Sequence, residues 1–343
     1  MKIAVINVTT LGSNMVNSLT VGLWQHFQAL ELNIFNSKDK EFNFKQCCKD
    51  SFENNDAVIF ISSTGIAVRG IAPHIVNKKN DPAVVVIDSS CKYAISLLSG
   101  HLGGANKLTN IISGILDCEA IITTATDNLG ITAPDMIAVD NNLHIDNMTM
   151  AKEIATLLVE GKTVGFLDEE ELIPCPSGYL NLEIDLKESY DNLQGIVVVT
   201  SSGESTVEKA FNGIPVLKLI RKNVILGIGC KKNFPSDDML SSVRKSLEEK
   251  NIHEKAVDYV ATVSIKKNET AILALCEALG VELKIFSPEE IKLVEHKYAT
   301  SEFVRKTIGV GAVCEPVIEL SKGEILYPKE SFNGMTLAIG RTL

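Results

Sequence analysis

The stretch Ala83-Val84-Val85-Val86-Ile87-Asp88 is a short, unbroken run of apolar residues, and it sets the pattern of the first part of the chain. Runs of the same kind lie at 3–6, 56–62 and 120–124. Before the last run, apolar residues recur on one face of a predicted helix, namely Ala105, Leu108, Ile112 and Ile115. Continuous apolar strands that alternate with helices are typical of a parallel sheet covered on both faces. The sequence therefore predicts an α/β fold whose amino-terminal domain has a doubly wound, mostly parallel sheet.

The same alternation of strands and helices resumes after Arg221-Lys222. Strands are expected at 223–228 and 257–265, and Ser287-Pro288-Glu289-Glu290 has the residues of a capped helix start. The segment between the two α/β regions has a helical face at 151–158, turn residues and a further strand. We expect three domains, which are the amino-terminal domain at 1–139, a small middle α/β domain at 140–221 and a carboxy-terminal, three-layer α/β domain at 222–343.

Charge and composition exclude several classes of function. The 343 residues include 33 basic and 43 acidic ones, and a protein that binds a phosphate backbone needs a basic surface, so nucleic acid is not an expected partner. Most of the excess acid lies near Asp168-Glu169-Glu170-Glu171, which we expect to be a solvated face or loop without chemistry. No stretch approaches the ~20 apolar residues of a membrane span, and the start lacks a signal-like apolar region. We expect a soluble, cytoplasmic protein.

Two kinds of cofactor site lack their sequence signatures. The eight cysteines form no C-x-x-C pair and no Cys/His spacing, so we expect free thiols and no metal site on the protein. Gly161-Lys162-Thr163 has Thr156 where a phosphate loop needs glycine, and Gly227-Ile228-Gly229 has Lys232 where the dinucleotide motif needs its third glycine. A nucleotide-dependent enzyme is therefore disfavoured.

The densest motifs lie in the first domain. They are Ser62–Arg69 (SSTGIAVR), Ile95–Asn106 (ISLLSGHLGGAN) and Ile121–Asp127 (IITTATD). The second joins a glycine-rich loop to a helix start, where unpaired N–H groups and the helix dipole favour an anion such as a carboxylate or phosphate. A tight turn that lets the helix pack closely is the alternative explanation for its glycines. Residues 62–116 also carry a local net charge of +3 from Arg69, Lys78, Lys79, Lys92 and Lys107 against two aspartates.

Taken together, these motifs resemble the amino-terminal region of the cobalt-precorrin-5A hydrolase family, the CbiG proteins of anaerobic cobalamin (vitamin B12) biosynthesis. The last domain resembles the same family in order, at Gly227–Lys232, Ala261–Glu269 and Thr300–Pro316. The chain departs from the family's usual residues at Ser89-Ser90, Ser264 and Asn268, where acidic residues are common.

The resemblance implies a reaction on a cobalt-corrinoid tetrapyrrole. Water opens the δ-lactone on ring A of cobalt-precorrin-5A, and a two-carbon unit leaves as acetaldehyde to give cobalt-precorrin-5B. The hydrolase needs no added cofactor, because the cobalt arrives inside the substrate. Neighbouring methyltransferases of the pathway and a second copy of the chain are candidate partners. A non-catalytic protein that binds the corrinoid and hands it over is the alternative function.

Lactone opening needs an acid or base, together with donors for the developing oxyanion. His101, between Gly100 and the Gly103-Gly104 pair, and Asp127, after a predicted strand end, are the candidate catalytic residues. A capping or packing role is the alternative for His101, and a helix N-cap for Asp127. An ion pair is the alternative for Lys266 with Glu269, and a helix start for Glu315. The candidate substrate-binding residues are Ser63, Thr64, Gly65, Arg69, Ser99, Gly100, Gly103, Gly104, Asn106, Lys107, Thr124, Cys230, Lys266, Glu269 and Glu315.

Overall fold

The computed structural model describes residues 1–9, 13–77, 80–183, 192–211 and 213–342. Lys78 and Lys79, two of the basic residues counted above, lie outside the described residues. The chain divides into two compact units, Met1–Val139 and Asp140–Leu343. The boundary expected at 221/222 falls inside the second unit, so the division into three domains stays a prediction. Among the described residues, no helix combines the length and the apolar composition needed to cross a membrane.

The first unit alternates strands and helices along the chain. Its elements are β1 (Lys2–Asn7), α1 (Ser13–His26), β2 (Glu31–Asn36), α2 (Phe44–Asn54), β3 (Ala57–Ile61), α3 (Thr64–Ile71), β4 (Ala83–Ile87), β5 (Tyr93–Leu98), α4 (Ala105–Leu116), β6 (Glu119–Ile121), α5 (Ala125–Asn128) and α6 (Pro134–Asp140). A short 3₁₀ turn follows α3 at Ala72–His74.

One sheet forms the centre of this unit, with strand order β2-β1-β3-β4-β5-β6. Every residue of β3 and β4 is buried, because α1 and α4 cover one face of the sheet while α2 and α3 cover the other. This arrangement explains why these strands are continuously apolar in the sequence. The α/β class and the parallel-dominated sheet are confirmed.

Because β5 is reversed, loops leave the sheet at both ends of its strands, and we name these two sides separately. Strands β1 to β4 are parallel, whereas β5 runs antiparallel to β4, and β6 is parallel to β5. We call the side where β1, β3 and β4 end the β3 edge, which includes Ser62 and Asp88. The side where β5 and β6 end is the β5 edge, which includes Ser99. The loops that follow β3 and β5 therefore leave the sheet on opposite sides.

The second unit contains two sheets. Its elements are β7 (Leu143–Ile145), α7 (Met148–Val159), β8 (Val164–Asp168), β9 (Leu180–Asn181), β10 (Gly195–Thr200), α8 (Thr206–Ala210), β11 (Val216–Arg221), β12 (Val224–Cys230), α9 (Ser236–Glu249), β13 (Val257–Val263), α10 (Thr270–Leu279), β14 (Glu282–Phe286), α11 (Pro288–Val294), α12 (Glu302–Ile308), α13 (Cys314–Leu320), β15 (Gly323–Phe332) and β16 (Met335–Thr342). The strand orders are β7-β11-β10-β8-β9 and β14-β13-β12-β16-β15.

The carboxy-terminal sheet has helices on both faces. Helices α9 and α10 pack on one side of it, and α11 and α13 pack on the other, which gives the three expected layers. The capped helix start predicted at Ser287 is confirmed, since its side chain accepts from the amide of Glu290 and the Glu290 carboxylate accepts from the amide of Ser287. The strand expected at 223–228 is present as β12, which includes Gly227 and continues past Gly229 to Cys230. A Cβ at Gly227 would stand 1.9 Å from the carbonyl oxygen of Cys314, so glycine lets α13 approach the strand.

The acidic stretch at 168–171 differs from its prediction as a solvated loop. The Asp168 side chain is 2% exposed and receives Arg221 Nη2 on both carboxylate oxygens at 2.6 Å. Glu169 accepts from Ser205 Oγ at 2.8 Å, and Glu170 accepts from Asn223 Nδ2 at 3.0 Å. The prediction is wrong for these three residues because donors on neighbouring segments face them. Of these contacts, only the one from Glu170 reaches a residue next to the carboxy-terminal sheet, because Asn223 directly precedes β12.

Candidate active site

The glycine-rich loop leads from the end of β5 into α4. The amides of Gly104, Ala105 and Asn106 donate to the carbonyls of His101, Ser99 and Gly100 at 2.8, 3.1 and 3.0 Å. These N–H groups at the helix start are therefore already paired within the loop. The expectation of unpaired N–H groups is wrong for these three amides, since the loop's own carbonyl oxygens accept from them.

The glycines of this loop make close approaches possible. A Cβ on Gly103 would lie 2.4 Å from Cβ of Ser99, and a Cβ on Gly100 would lie 2.7 Å from Oδ1 of Asn106. Gly104 has φ +83°, a left-handed conformation that favours glycine. The tight turn that was the alternative explanation is therefore present, and it fixes the position of His101.

His101 lies between two carboxylates. Its Nε2 is 3.1 Å from Oδ2 of Asp127 and 3.2 Å from Oγ1 of Thr126, while its Nδ1 is 3.5 Å from Oδ1 of Asp135. The side chains of His101 and Asp135 are 18% and 14% exposed, whereas that of Asp127 is 39% exposed. The more open carboxylate can thus reach a bound molecule, and the more enclosed one faces the other side of the ring.

The two carboxylates set the charge of the ring. The carboxylate of Asp135, and then that of Asp127, raise the pKa of His101 above its ordinary value, although partial burial acts in the opposite direction. The imidazolium form therefore persists to higher pH than in an isolated histidine. Near its ordinary pKa, the ring is therefore protonated, and able to donate a proton, in a larger fraction of molecules than an isolated histidine would be.

Asn106 connects the elements around this cluster. Its Nδ2 donates to Oδ2 of Asp127 at 3.0 Å and to Oγ1 of Thr124 at 2.9 Å, and its Oδ1 accepts from Oγ of Ser96 at 2.7 Å. The Asn106 side chain is buried, so its contacts hold the cluster together. Lys107, the next residue of α4, is exposed.

Asp127 does not cap a helix. Thr124 is the N-cap of α5, and Asp127 lies inside that short helix. The strand predicted to continue to Thr124 ends at Ile121. The N-cap alternative for Asp127 is therefore wrong, and its carboxylate is instead held by His101 and Asn106.

The other predicted residues of the first domain lie at the β3 edge. Ser63, Thr64 and Gly65 are exposed at the start of α3, and Nη1 of Arg69 donates to the carbonyl of Gly65 at 3.2 Å. Because β5 is reversed, a five-residue strand of about 16 Å separates this edge from the His101 loop. Arg69 and His101 therefore lie toward opposite ends of the strands, and a role for Arg69 in substrate binding stays a prediction. Ser99, on the β5 edge, donates its hydroxyl to the carbonyl of Asp81 at 3.0 Å.

The predicted residues of the carboxy-terminal segment lie in the second unit. Lys266 Nζ is 3.1 Å from Glu269 Oε2, so the ion-pair alternative is present. Burial raises the pKa of the nearby Cys230 thiol to about 11, which keeps it protonated. Glu315 is buried in the first turn of α13, where its Oε1 accepts from the amide of Lys329 at 3.3 Å. A role for these four residues in substrate binding stays a prediction.

Sequence reasoning missed three members of the His101 cluster, which are Ser96, Thr126 and Asp135. Pro134-Asp135 has the residues of a helix start, and this signal predicts α6. It does not predict that the carboxylate faces a histidine 34 residues earlier in the chain. Over the described ranges, no three His, Cys, Asp or Glu side chains are grouped as metal ligands would be.

Three family models match the chain in order. The cobalamin synthesis G N-terminal model covers 46–127, the cobalamin biosynthesis central region covers 132–208, and the cobalamin synthesis G C-terminus covers 224–340. The chain is 34% identical to the cobalt-precorrin-5A hydrolase of Salmonella typhimurium, over 87% of this chain and 85% of that protein. It is 30% identical to the cobalt-precorrin-5A hydrolase of Priestia megaterium, over 79% and 74%. The resemblance found in the motifs is thus confirmed, and the chain belongs to the CbiG family of cobalamin biosynthesis proteins.

Proposed function

We propose that the chain is a cobalt-precorrin-5A hydrolase, which opens the ring A δ-lactone and releases acetaldehyde. The observation that supports this most directly is the placement of His101 Nε2 3.1 Å from Asp127, because one pair then offers both an acid and a base. Both residues lie in the segment that the amino-terminal family model covers. The relatives' names supply the substrate.

In the first step, the Asp127 carboxylate takes a proton from water, and the water oxygen attacks the lactone carbonyl. Both donors to Asp127 within the described part of the chain reach Oδ2, which leaves Oδ1 available to a water. The ring C–O bond then breaks, and the His101 imidazolium gives a proton to the leaving alkoxide. The products are a carboxylic acid and an alcohol on the two-carbon unit.

In the second step, the alcohol is released as an aldehyde. The proton on Asp127 first returns to His101 across their 3.1 Å contact. Asp127 then takes the alcohol proton, the C=O bond of acetaldehyde forms, and the bond from that carbon to the macrocycle breaks. The electron pair stays on the macrocycle, which receives a proton from His101. In sum, substrate and one water give product and one acetaldehyde.

The substrate is a wide apolar ring with a rim of acetate and propionate carboxylates. Lys107 is the exposed cation in the first turn of α4, next to Asn106, and we propose it as a contact for that rim. We also propose that no added cofactor is needed, since the cobalt is part of the substrate. Pathway methyltransferases, a second copy of the chain and a cytoplasmic location stay predictions.

The test is incubation of the purified protein with cobalt-precorrin-5A, without added metal or nucleotide. We expect one acetaldehyde per substrate consumed, together with the mass change to cobalt-precorrin-5B. Substrate that binds with unchanged mass would instead identify a non-catalytic hand-over protein. The proposed hydrolase would then be wrong.

A further inference from the structure

We infer that Asp135 is a positioning residue that holds the proton of His101 on Nδ1 and leaves Nε2 as the atom that exchanges protons. This inference rests on the proposed function for its catalytic meaning. It concerns a residue that no motif in the sequence singled out. The argument starts from the surroundings of the two ring nitrogens.

The two carboxylates around His101 are not equivalent. Asp135, on α6, is 14% exposed and lies at Nδ1, whereas Asp127, on α5, is 39% exposed and lies at Nε2. A less hydrated carboxylate holds a neighbouring proton more strongly, because water screens its charge less. Oδ2 of Asp127 also accepts from Asn106, so it is shared between two donors. The lower exposure of Asp135 favours retention of the proton on Nδ1.

Thr126 completes this arrangement at the other nitrogen. Thr126 is buried on α5, and its hydroxyl oxygen lies 3.2 Å from Nε2. A hydroxyl can donate to Nε2 once that atom has lost its proton, which a carboxylate cannot do. The neutral ring therefore keeps a partner at each nitrogen when the proton sits on Nδ1. With the proton on Nε2, Nδ1 would turn a lone pair toward the Asp135 carboxylate.

In catalysis, the two aspartates would therefore have different roles. Asp135 fixes the ring and its tautomer, as a carboxylate behind a catalytic histidine does in general. Asp127, which is more open, exchanges protons with water and substrate. Loss of Asp135 should therefore lower the turnover rate and leave substrate binding unchanged.

The first experiment measures the wild-type protein, and a variant serves only to assign the signal. Nitrogen-15 NMR of the His101 ring, assigned with His101→Asn, reports which nitrogen is protonated above the pKa. We expect the proton on Nδ1. A neutral ring protonated on Nε2 would overturn the inference, whether or not the protein releases acetaldehyde.

The second experiment compares Asp135→Asn with Asp135→Glu. In the Asn variant, we expect the pKa of His101 to fall toward its ordinary value. We expect kcat to fall at least about tenfold with KM unchanged, since positioned acid–base catalysis contributes about 10²–10⁴-fold and His101 itself remains. The His101 limb of the pH–rate profile should move to lower pH. The Glu variant, which keeps the charge, should recover part of both effects.

Asp146→Asn is the matched control. Asp146 Oδ1 lies 3.3 Å from Nε2 of His253 in the second unit, so this change also removes a carboxylate from a histidine. It should leave the titration of His101 and the value of kcat unchanged. A folded Asp135→Asn protein with wild-type His101 titration or wild-type kcat would contradict the inference. A wild type that makes no acetaldehyde refutes the proposed function alone, because the NMR result stands apart from it.

Discussion

Replacing His101 by Asn keeps a polar side chain and removes the ring that bridges Asp127 and Asp135. Asn cannot exchange a proton near neutral pH. If His101 carries the proton in lactone opening, turnover should fall on the order of a hundredfold, within the range typical of general acid–base catalysis. Substrate binding should change much less, because Asn106, Lys107 and the loop remain in place.

The same substitution should lower stability in a pH-dependent way. Hydrogen bonds to charged groups contribute about 1.5–3 kcal/mol, and the exposure of Asp127 reduces its share, so we expect a loss of roughly 2 kcal/mol at pH 6. The pKa of His101 is raised in the folded protein by Asp135 and Asp127. The stabilisation is therefore fully present below the ordinary pKa of about 6.5 and is lost as pH rises through the folded value. The difference between wild type and variant should shrink toward pH 9.

The assay measures both properties on one preparation. Single-turnover acetaldehyde release gives the rate, and urea unfolding at pH 6 and pH 9 gives the stability. If His101 only shapes the entrance to α4, stability should fall equally at both pH values while the folded fraction turns over normally. A stable and fully active variant would refute the reasoning and make Asp127 the leading candidate.

Two further predictions use other parts of the chain. Arg69→Ala should leave the affinity for the corrinoid nearly unchanged in a calorimetric titration, because Arg69 lies at the β3 edge and His101 does not. One charge-assisted contact contributes about 1.5–3 kcal/mol. A loss of that size would instead place the carboxylate rim of the substrate at the β3 edge. Arg221→Met should destabilise the protein by about 3 kcal/mol in urea unfolding, since it leaves the buried Asp168 without its cation. That value is at the low end for a broken buried pair because the amides of Leu172 and Ile173 still donate to Asp168, and a loss under about 1 kcal/mol would count against this reasoning.

The apolar runs predicted β1, β3, β4, β6 and the helix α4 of the first unit, but the prediction did not include β2 or β5. Apolar runs indicate where β4 and α4 lie, since burial alone produces their patterns. They carry no information about which way a strand runs, so neither the strand β5 nor its reversed direction was expected. The signal was the short connection at 88–92, because a parallel crossover needs a dozen or more residues. In the structure, Asp88 closes this turn by accepting from the amides of Lys92 and Tyr93.

Sequence motifs predicted two residues of the candidate site, but they could not predict its tertiary contacts. His101 and Asp127 belong to motifs, and the structure brings them to 3.1 Å, although their catalytic roles stay predictions. The helix entrance looked open to an anion, because sequence cannot show that loop carbonyls already occupy its amides. Asp135 was missed because a tertiary contact between α6 and the His101 loop leaves no local pattern.

The net charge of His101, Asp127 and Asp135 suits proton transfer but opposes binding of an anionic substrate. One histidine and two aspartates carry a net charge of −1 when the ring is protonated and −2 when it is neutral. A substrate with a carboxylate rim is repelled in both states, and less so by the protonated one. In the proposed reaction, the cluster therefore opposes substrate binding, and we expect the affinity to come from cations such as Lys107 and from apolar surface. The proton that His101 needs as an acid also lowers the repulsion, so the form that can react is the form that the substrate approaches most readily.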